Sequence, residues 1–266
     1  MRSLKTALQR QELTIGSWIT LAHPAVAEIM AGAGFDWLAV DLEHSVITIR
    51  ETEELIRVIR LGGVTPLVRV AANDPVQIKR VMDAGAHGVI VPMVNSRQDA
   101  ERAVAGAYYP PRGTRGVGLA RAQGYGAQFD AYVKWLGKEG VVIVQVEHRQ
   151  AVERLDDILG VPGVDGFLVG PYDLSGSFGV PGEFDHPSMT GALQTLRKAM
   201  GRRRVAAGFH VIPPRPELVI EKAREGYRFI AYSLDTLFLG ELCRGGLATI
   251  KKALAAGRSR AKARAG

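Results

Sequence analysis

Several polar side chains stand at the ends of predicted β-strands whose interiors are otherwise apolar. Glu147 closes the run GVVIVQVE, and Asp173 follows the stretch Gly170–Pro171–Tyr172. Oxygen ligands suit a hard cation, and Mg²⁺ or Mn²⁺ often binds only one or two protein carboxylates, with water and substrate oxygens in its other positions. Such a cation polarises a carbonyl and stabilises an enolate. The alternative is that each carboxylate caps the following helix or pairs with an arginine.

Two further strand ends carry groups that act on oxygen atoms and on protons. Arg69 lies in the apolar run TPLVRV, where a guanidinium offers a fixed fork for a carboxylate or a developing oxyanion. A salt bridge from Arg69 to Asp41 or Glu43 is the alternative. His44 follows both carboxylates in the stretch DLEHS, and a histidine with a carboxylate partner can act as an acid or base near neutral pH. It could equally be a hydrogen-bonded part of the scaffold.

The turn after the predicted sixth strand offers main-chain donors. In the stretch Gly170–Pro171–Tyr172–Asp173, the N–H groups of Tyr172 and Asp173 open onto a predicted helix and could cradle a small carboxylate. An ordinary helix cap is the alternative. His210 ends the predicted seventh strand and could line the same pocket. No lysine lies in a predicted strand or at a strand end, so a Schiff-base mechanism is not expected.

The sequence alternates between short apolar runs and longer stretches with helical periodicity. Eight strand–helix units in about 250 residues predict a (β/α)8 TIM barrel, in which chemistry takes place at the C-terminal ends of the strands. An open doubly wound sheet would carry a glycine-rich phosphate turn after its first strand, and LAHPAV has none. The strands are predicted in the runs TIGSWIT, DWLAVDLE, TPLVRV, HGVIVPM, GVVIVQVE, DGFLVG, RVAAGFHV and RFIAYSLD.

Composition narrows the class of protein. Of the 266 residues, 47% are hydrophobic and 23% charged, and there is one cysteine, which describes a packed protein without an intramolecular disulfide. No apolar run of about 18 residues and no signal-peptide core occurs, so we expect no membrane span and a cytoplasmic location. We predict one catalytic domain over residues 1–256 and a basic, flexible tail over 257–266. The tail and Arg202–Arg204 lack interleaved aromatic residues, so no nucleic-acid partner is expected.

Several motifs together resemble one enzyme family. GSWITLAHPAVAEIMAGAGFDWLAVDLEHS, NDPVQIKRVMDAGAHGVIVPMV, YYPPRGTRGVG, VQVE and GPYDLS occur in this order and resemble the HpcH/HpaI aldolase family, the class II pyruvate aldolases, over residues 13–250. The resemblance implies a TIM barrel of the phosphoenolpyruvate/pyruvate type whose C-terminal helix is exchanged between subunits, and a homo-oligomer, frequently a hexamer. It implies reversible cleavage of a 4-hydroxy-2-oxo acid to pyruvate and an aldehyde, with Mg²⁺, Mn²⁺ or Co²⁺ as cofactor.

The resemblance also implies roles for individual residues. The metal carboxylates are Glu147 and Asp173, the base is His44 supported by Asp41, and the substrate arginine is Arg69. The remaining substrate-binding positions that it implies are Gln145 and the carboxylate cradle at Gly170, Pro171 and Tyr172. Apart from the resemblance, we expect Trp18, Arg121 and Tyr125 to shape the acceptor side.

Departures from the family pattern leave the aldehyde partner open. Tyr172 replaces a common alanine, HSVIT replaces HAPN, and GVGLARAQGYG is shorter than in better-known members. Two other functions stay open at this point: a citrate-lyase-like enzyme acting on a CoA thioester, and a non-catalytic ligand-binding barrel. A phosphate-bearing substrate is a further alternative that the net charge of +7 favours.

Overall fold

The computed structural model describes residues 3–200 and 205–265, and in it eight parallel strands close into a barrel in chain order. Each strand pairs with its neighbours in sequence, and the last pairs with the first. The predicted (β/α)8 barrel and all eight predicted strands are therefore confirmed. The strands are β1 (Thr14–Ile19), β2 (Trp37–Asp41), β3 (Thr65–Arg69), β4 (Gly88–Val91), β5 (Val141–Val146), β6 (Gly166–Val169), β7 (Ala206–Val211) and β8 (Phe229–Leu234).

Helices surround the strands, and several begin where the sequence provides a cap. Thr48 and Glu51 form a reciprocal capping box at the start of the third helix, which satisfies two N–H groups that lack helical acceptors. The helices are α1 (Leu4–Gln9), α2 (Pro24–Gly32), α3 (Ile49–Leu61), α4 (Pro75–Asp83), α5 (Arg97–Ala107), α6 (Phe129–Glu139), α7 (Arg149–Glu153), α8 (Leu155–Leu159), α9 (Pro171–Ser177), α10 (Pro187–Met200), α11 (Pro216–Arg224) and α12 (Asp235–Ala265).

The barrel interior is filled by large side chains. Trp37 stacks on Phe229 with ring centroids 4.2 Å apart, and Trp18 meets Trp37 edge to face at 6.3 Å. All three are buried. Gly16 makes room for this layer, because a Cβ atom there would lie 2.0 Å from the Trp37 ring. A second apolar layer packs the outer faces of the strands against the helices.

The long segment between α5 and α6 lies at the N-terminal face of the barrel. Arg115 pairs with Asp83, at the end of α4, with 2.6 Å between Nη2 and Oδ1. Arg121 donates to the main-chain oxygen of Ala84 at 2.8 Å. Because α4 returns the chain to the start of β4, these contacts anchor the segment at the end of the barrel opposite the C-terminal strand ends.

The last helix, α12, leaves the end of β8. Leu239, Leu242 and Leu254 on it are all more than half exposed, at 61%, 78% and 62%. The exchange of this helix between subunits stays a prediction, as does the flexibility of the basic tail, whose described backbone continues α12. Arg202–Arg204 lie outside the described residues. No helix in the described ranges is long and apolar enough to cross a membrane.

Candidate active site

A cavity of about 640 Å³ opens at the C-terminal ends of the strands. In a (β/α)8 barrel this is the face where catalytic residues gather. It brings together side chains from strands that are far apart in sequence. Ten of the residues singled out from the sequence line it: Trp18, Asp41, His44, Arg69, Gln145, Gly170, Pro171, Tyr172, Asp173 and His210.

Asp41 and Arg69 form a buried, two-point ion pair across the pairing of β2 and β3. Arg69 Nε lies 2.8 Å from Asp41 Oδ1, and Nη2 lies 2.6 Å from Oδ2. Burial alone would raise the pKa of Asp41, but the hydrogen bond and positive charge of Arg69 hold that pKa below its usual value. Arg69 Nη1 takes no part in the pair and remains available to a substrate oxygen.

The imidazole of His44 is not held by Asp41. Asp41 Oδ1 instead accepts from the main-chain N–H groups of Glu43 at 3.0 Å and His44 at 3.3 Å. The His44 side chain is 59% exposed, and its Nε2 lies 3.8 Å from Glu43 Oε2. Asp41 thus contacts the main chain of His44 and not its ring, and the predicted support of the His44 ring by Asp41 stays a prediction.

Glu43 is a partly buried acid, considered from the sequence only as a salt-bridge partner of Arg69. Its Oε2 lies 3.4 Å from Arg69 Nε but makes no hydrogen bond with the described residues. Burial raises the pKa of Glu43 to about 8; Arg69 opposes this rise, and the charges of Glu147, Asp41 and Asp173 add to it. The interaction with Asp173 places that carboxylate, which follows β6, within electrostatic range of the residues after β2.

Glu147 lies behind the cavity wall in a cradle of donors. Its Oε1 accepts from the Met93 main-chain N–H at 2.6 Å, and its Oε2 accepts from Gln145 Nε2 at 2.5 Å. Burial raises the pKa of Glu147, and the nearby charge of Asp173 raises it further, against the Met93 hydrogen bond. A Cβ atom on Gly170 would lie 3.2 Å from Glu147 Oε2, so a glycine there keeps this oxygen uncovered toward the cavity.

The segment after β6 begins α9 at the cavity wall. Gly170 is the N-cap and Pro171 the first helical residue, so the N–H groups of Tyr172 and Asp173 have no acceptor within the helix. The Tyr172 ring is half exposed and meets Phe184 edge to face at 5.0 Å. The main-chain donors and the Tyr172 ring thus stand on the same side of the cavity as Asp173.

Comparison with known proteins agrees with this geometry. The family model described as HpcH/HpaI aldolase/citrate lyase matches residues 14–239. This chain belongs to the HpcH/HpaI aldolase/citrate lyase family.

Two relatives in the HpcH/HpaI family are named for different substrates. The hydroxypyruvate/pyruvate aldolase of Sagittula stellata is 38% identical over 236 residues, 88% of this chain and 92% of that protein. The 4-hydroxy-2-oxo-heptane-1,7-dioate aldolase of Salmonella typhimurium is 38% identical over 240 residues, 89% of this chain and 90% of that protein. A solved HpcH/HpaI family structure from Burkholderia cenocepacia J2315 has a TM-score of 0.89 at 33% identity, covering 94% of this chain and all of that one.

Arg121 is a predicted site residue that the structure places at the opposite end of the barrel from the cavity. It lies at the N-terminal face, over Gly85, where a Cβ atom would lie 2.2 Å from Arg121 Nη1. Tyr125 is near it and accepts from Arg57 Nη2 at 3.3 Å. The prediction that Arg121 and Tyr125 shape the acceptor side is therefore wrong within one chain. Both residues belong to the segment between α5 and α6. This segment lies at the N-terminal face of the barrel.

Other cavity residues were not singled out as site residues from the sequence. Ser45, Val46 and Thr20 line the cavity, and they follow β2 and β1 directly. Asp235 fixes this rim by accepting from the main-chain N–H groups of Thr20 at 2.7 Å and Leu21 at 2.8 Å. Their position soon after a strand end is the sequence feature that could have identified them as cavity residues.

The residues around Glu147 fit a hard divalent cation. Gln145 Oε1 and Glu43 Oε2 are buried and have no hydrogen-bond partner among the described residues, and both are oxygen donors. Carboxylates that raise one another's pKa are stabilised by a shared cation. No group of three or more His, Cys, Asp or Glu side chains arranged for a metal occurs in residues 3–200 and 205–265, so Glu147 and Asp173 would leave further coordination positions to substrate and water.

Proposed function

We propose that this protein is a divalent-metal-dependent aldolase that reversibly cleaves a 4-hydroxy-2-oxo acid to pyruvate and an aldehyde. The observation that carries the proposal is that Asp173 and the Arg69–Asp41 pair line one strand-end cavity, with Glu147 beside Gly170 of the cavity wall and within electrostatic range of Asp173, in a chain of the HpcH/HpaI family. Aldolases of this family depend on a divalent metal. The relatives' names support a 2-oxo acid as the substrate class and differ in the substrate they specify.

Glu147 and Asp173 are the proposed metal ligands, with Gln145 holding the Glu147 carboxylate in place. A divalent cation bound there would polarise the keto group of the substrate and favour its enolate. Arg69 presents Nη1 to the same keto oxygen, because Nε and Nη2 are already fixed by Asp41. A guanidinium held in advance where negative charge develops lowers the barrier without having to reorganise during the reaction.

The start of α9 is proposed to bind the carboxylate of the 2-oxo acid. The N–H groups of Tyr172 and Asp173 point out of the first helical turn, and the positive end of the helix dipole favours an anion there. Gly170 and Pro171 set the turn without adding a side chain over Glu147. Substrate orientation would therefore depend on main-chain donors at one end and on Arg69 at the other.

His44 is the proposed acid and base for the 4-hydroxyl group. In the cleavage direction its imidazole takes the hydroxyl proton, directly or through a water, as the bond between C3 and C4 breaks and the aldehyde leaves. The electron pair of that bond remains on the 2-oxo acid fragment as the enolate, and protonation at C3 gives pyruvate. Exposure of the His44 ring in the cavity allows it to reach a substrate.

The same proposal includes the identity of the metal, the reactants, the cellular location and the assembly. We propose Mg²⁺, Mn²⁺ or Co²⁺ as the metal, a small-molecule 2-oxo acid and an aldehyde as partners, and a cytoplasmic homo-oligomer, with a hexamer as the expected assembly. Trp18 is proposed to form part of the acceptor side.

The test is hydrogen exchange at the methyl group of pyruvate in D₂O, followed by NMR with metal-stripped protein before and after addition of Mg²⁺ or Mn²⁺. This reports enolate formation without the unknown aldehyde. We expect metal-dependent exchange that Glu147→Gln reduces by at least about 100-fold. Glu153→Gln, an exposed residue of α7, is the matched control and should exchange at the wild-type rate. Absence of exchange with every divalent metal would exclude the pyruvate half-reaction.

A further inference from the structure

The rim of the cavity formed by β1 and β7 contains two buried polar atoms without partners. Nε1 of Trp18 and Nε2 of His210 make no hydrogen bond with the described residues. Both side chains line the cavity, and their ring centroids are 5.5 Å apart with an angle of 65° between the ring planes. A buried polar group without a hydrogen-bond partner destabilises the protein, so a bound polar group at this rim would be stabilised.

The protonation of His210 follows from its surroundings. Burial and the positive charge of Arg69 lower the pKa of His210 to about 3, while a hydrogen bond to the main chain of Ser233 opposes this. The hydrogen bond with the main chain of Ser233 raises the pKa of His210, so it stabilises the protonated ring. The imidazole N–H is therefore the donor, and the main chain of Ser233 is the acceptor. The Ser233 bond therefore fixes a proton on Nδ1, and Nε2 of the neutral ring is left as an acceptor.

Trp18 is rigidly placed beside this acceptor. The guanidinium carbon of Arg69 lies 4.2 Å from the centroid of its ring, and Trp37 packs against it edge to face. Its indole N–H can only donate. A donor ring and an acceptor ring thus lie side by side in the cavity wall, next to the arginine proposed to bind the keto oxygen.

We propose that Trp18 and His210 together bind a hydroxyl group of the substrate, in addition to the 4-hydroxyl that reacts. This inference rests on the proposed aldolase function. A hydroxyl group accepts from Trp18 Nε1 and donates to His210 Nε2, whereas a carbonyl or carboxylate could use only the donor and an ammonium group only the acceptor. A hydrogen or methyl group in its place would leave both atoms unpaired, which is the condition for strong discrimination against a deoxy substrate.

The hydroxyl could be carried by either half of the substrate. It could lie on C3 of a hydroxypyruvate-type donor or on the carbon next to the aldehyde. Two competition experiments distinguish these sources. One compares hydroxypyruvate with pyruvate at a fixed aldehyde, and the other compares glycolaldehyde with acetaldehyde at fixed pyruvate, each as a ratio of kcat/KM values.

The variants are His210→Leu, which removes the acceptor, and Trp18→Phe, which removes the donor and keeps an aromatic ring beneath Arg69. Each variant should lower the ratio of kcat/KM for the hydroxylated substrate to kcat/KM for the deoxy substrate by about 10- to 100-fold. Both variants should have this effect in the same competition, either that between the donors or that between the aldehydes. His210→Asn, which restores a short acceptor, should recover part of the ratio. Ile212→Leu, a change of shape in the same cavity wall, should alter neither ratio by more than about threefold.

A fall in one competition supports the subsite and identifies which half of the substrate carries the hydroxyl. Unchanged ratios in both competitions for His210→Leu would overturn the inference. Pyruvate exchange in D₂O, measured on every variant, separates this result from a failure of the aldolase proposal. A wild-type protein without exchange refutes the proposed function, whereas exchange with unchanged ratios refutes only the hydroxyl subsite.

Discussion

Asp41 and Arg69 stand opposite each other in the register of β2 and β3, and two hydrogen bonds of 2.8 and 2.6 Å join their side chains. The carboxylate also accepts from the main chain at His44, so it shapes the turn that carries His44 without touching the imidazole. Asp41 is therefore a positioning residue for Arg69. This relationship differs from the one that sequence proximity suggested.

A double-mutant cycle tests this assignment. Asp41→Asn should lower kcat/KM for aldol cleavage by about 10- to 100-fold, and combining it with Arg69→Lys should cost much less than the sum of the two effects, because they disrupt one interaction. Combined with His44→Asn, it should show weaker coupling than with Arg69→Lys, because Asp41 contacts only the main chain of His44. Stronger coupling to His44 than to Arg69 would show that Asp41 acts through the imidazole.

His44→Asn should separate proton transfer from metal binding. We expect the rate of aldol cleavage to fall by about 10²- to 10⁴-fold, the usual contribution of a general acid or base. The affinity for Mn²⁺, measured by isothermal titration calorimetry, should stay within about twofold, since the ring is not a proposed ligand. A large loss of Mn²⁺ affinity would instead make His44 part of the metal site.

Much of the fold could be predicted because its signals are local. Apolar runs such as the one ending at Glu147 identify buried parallel strands, and the barrel then places their polar ends at one face. The Asp41–Arg69 pair could not be predicted with equal certainty, because it depends on cross-strand register between residues 28 positions apart. The position of Arg121 was predicted wrongly: its segment follows the helix α5, so it lies at the N-terminal face of the barrel.

Gly16→Ala should destabilise the barrel. A Cβ atom would lie 2.0 Å from the Trp37 ring, and that ring cannot move away because it stacks on Phe229. We expect the free energy of unfolding in urea to fall by about 1–3 kcal/mol, or more if the layer cannot repack. Gly137→Ala is the control: nothing lies within 4 Å of its Cβ position in α6, so it should be neutral or slightly stabilising. Equal effects of the two substitutions would contradict the packing argument.

The stability of the protein should fall in mild acid, in part because of His87. Burial lowers the pKa of His87 from 6.5 to about 4, while nearby Glu139 opposes the shift. Between these two pH values the unfolded chain binds a proton that the folded chain does not, so the free energy of unfolding decreases as the pH falls from 6.5 to 4.

His87→Phe should reduce this pH dependence, because the phenyl ring keeps the edge-to-face contact with Trp135 and cannot titrate. Urea denaturation at pH 7, 6, 5 and 4 measures the slope. His210, whose pKa is lowered in the same direction, should leave part of the slope in the variant. An undiminished slope in His87→Phe would contradict the assignment.

The proposed metal ligands and the proposed hydroxyl-binding residues come from different strands. Glu147 follows β5 and Asp173 follows β6, whereas Trp18 and His210 stand on β1 and β7. A substitution of His210 on β7 can therefore alter which compound is accepted without replacing a proposed metal ligand. An ancestral barrel built in this way can acquire new substrates one residue at a time and remain an active catalyst at each step, which would allow a single scaffold to diversify across many metabolic roles.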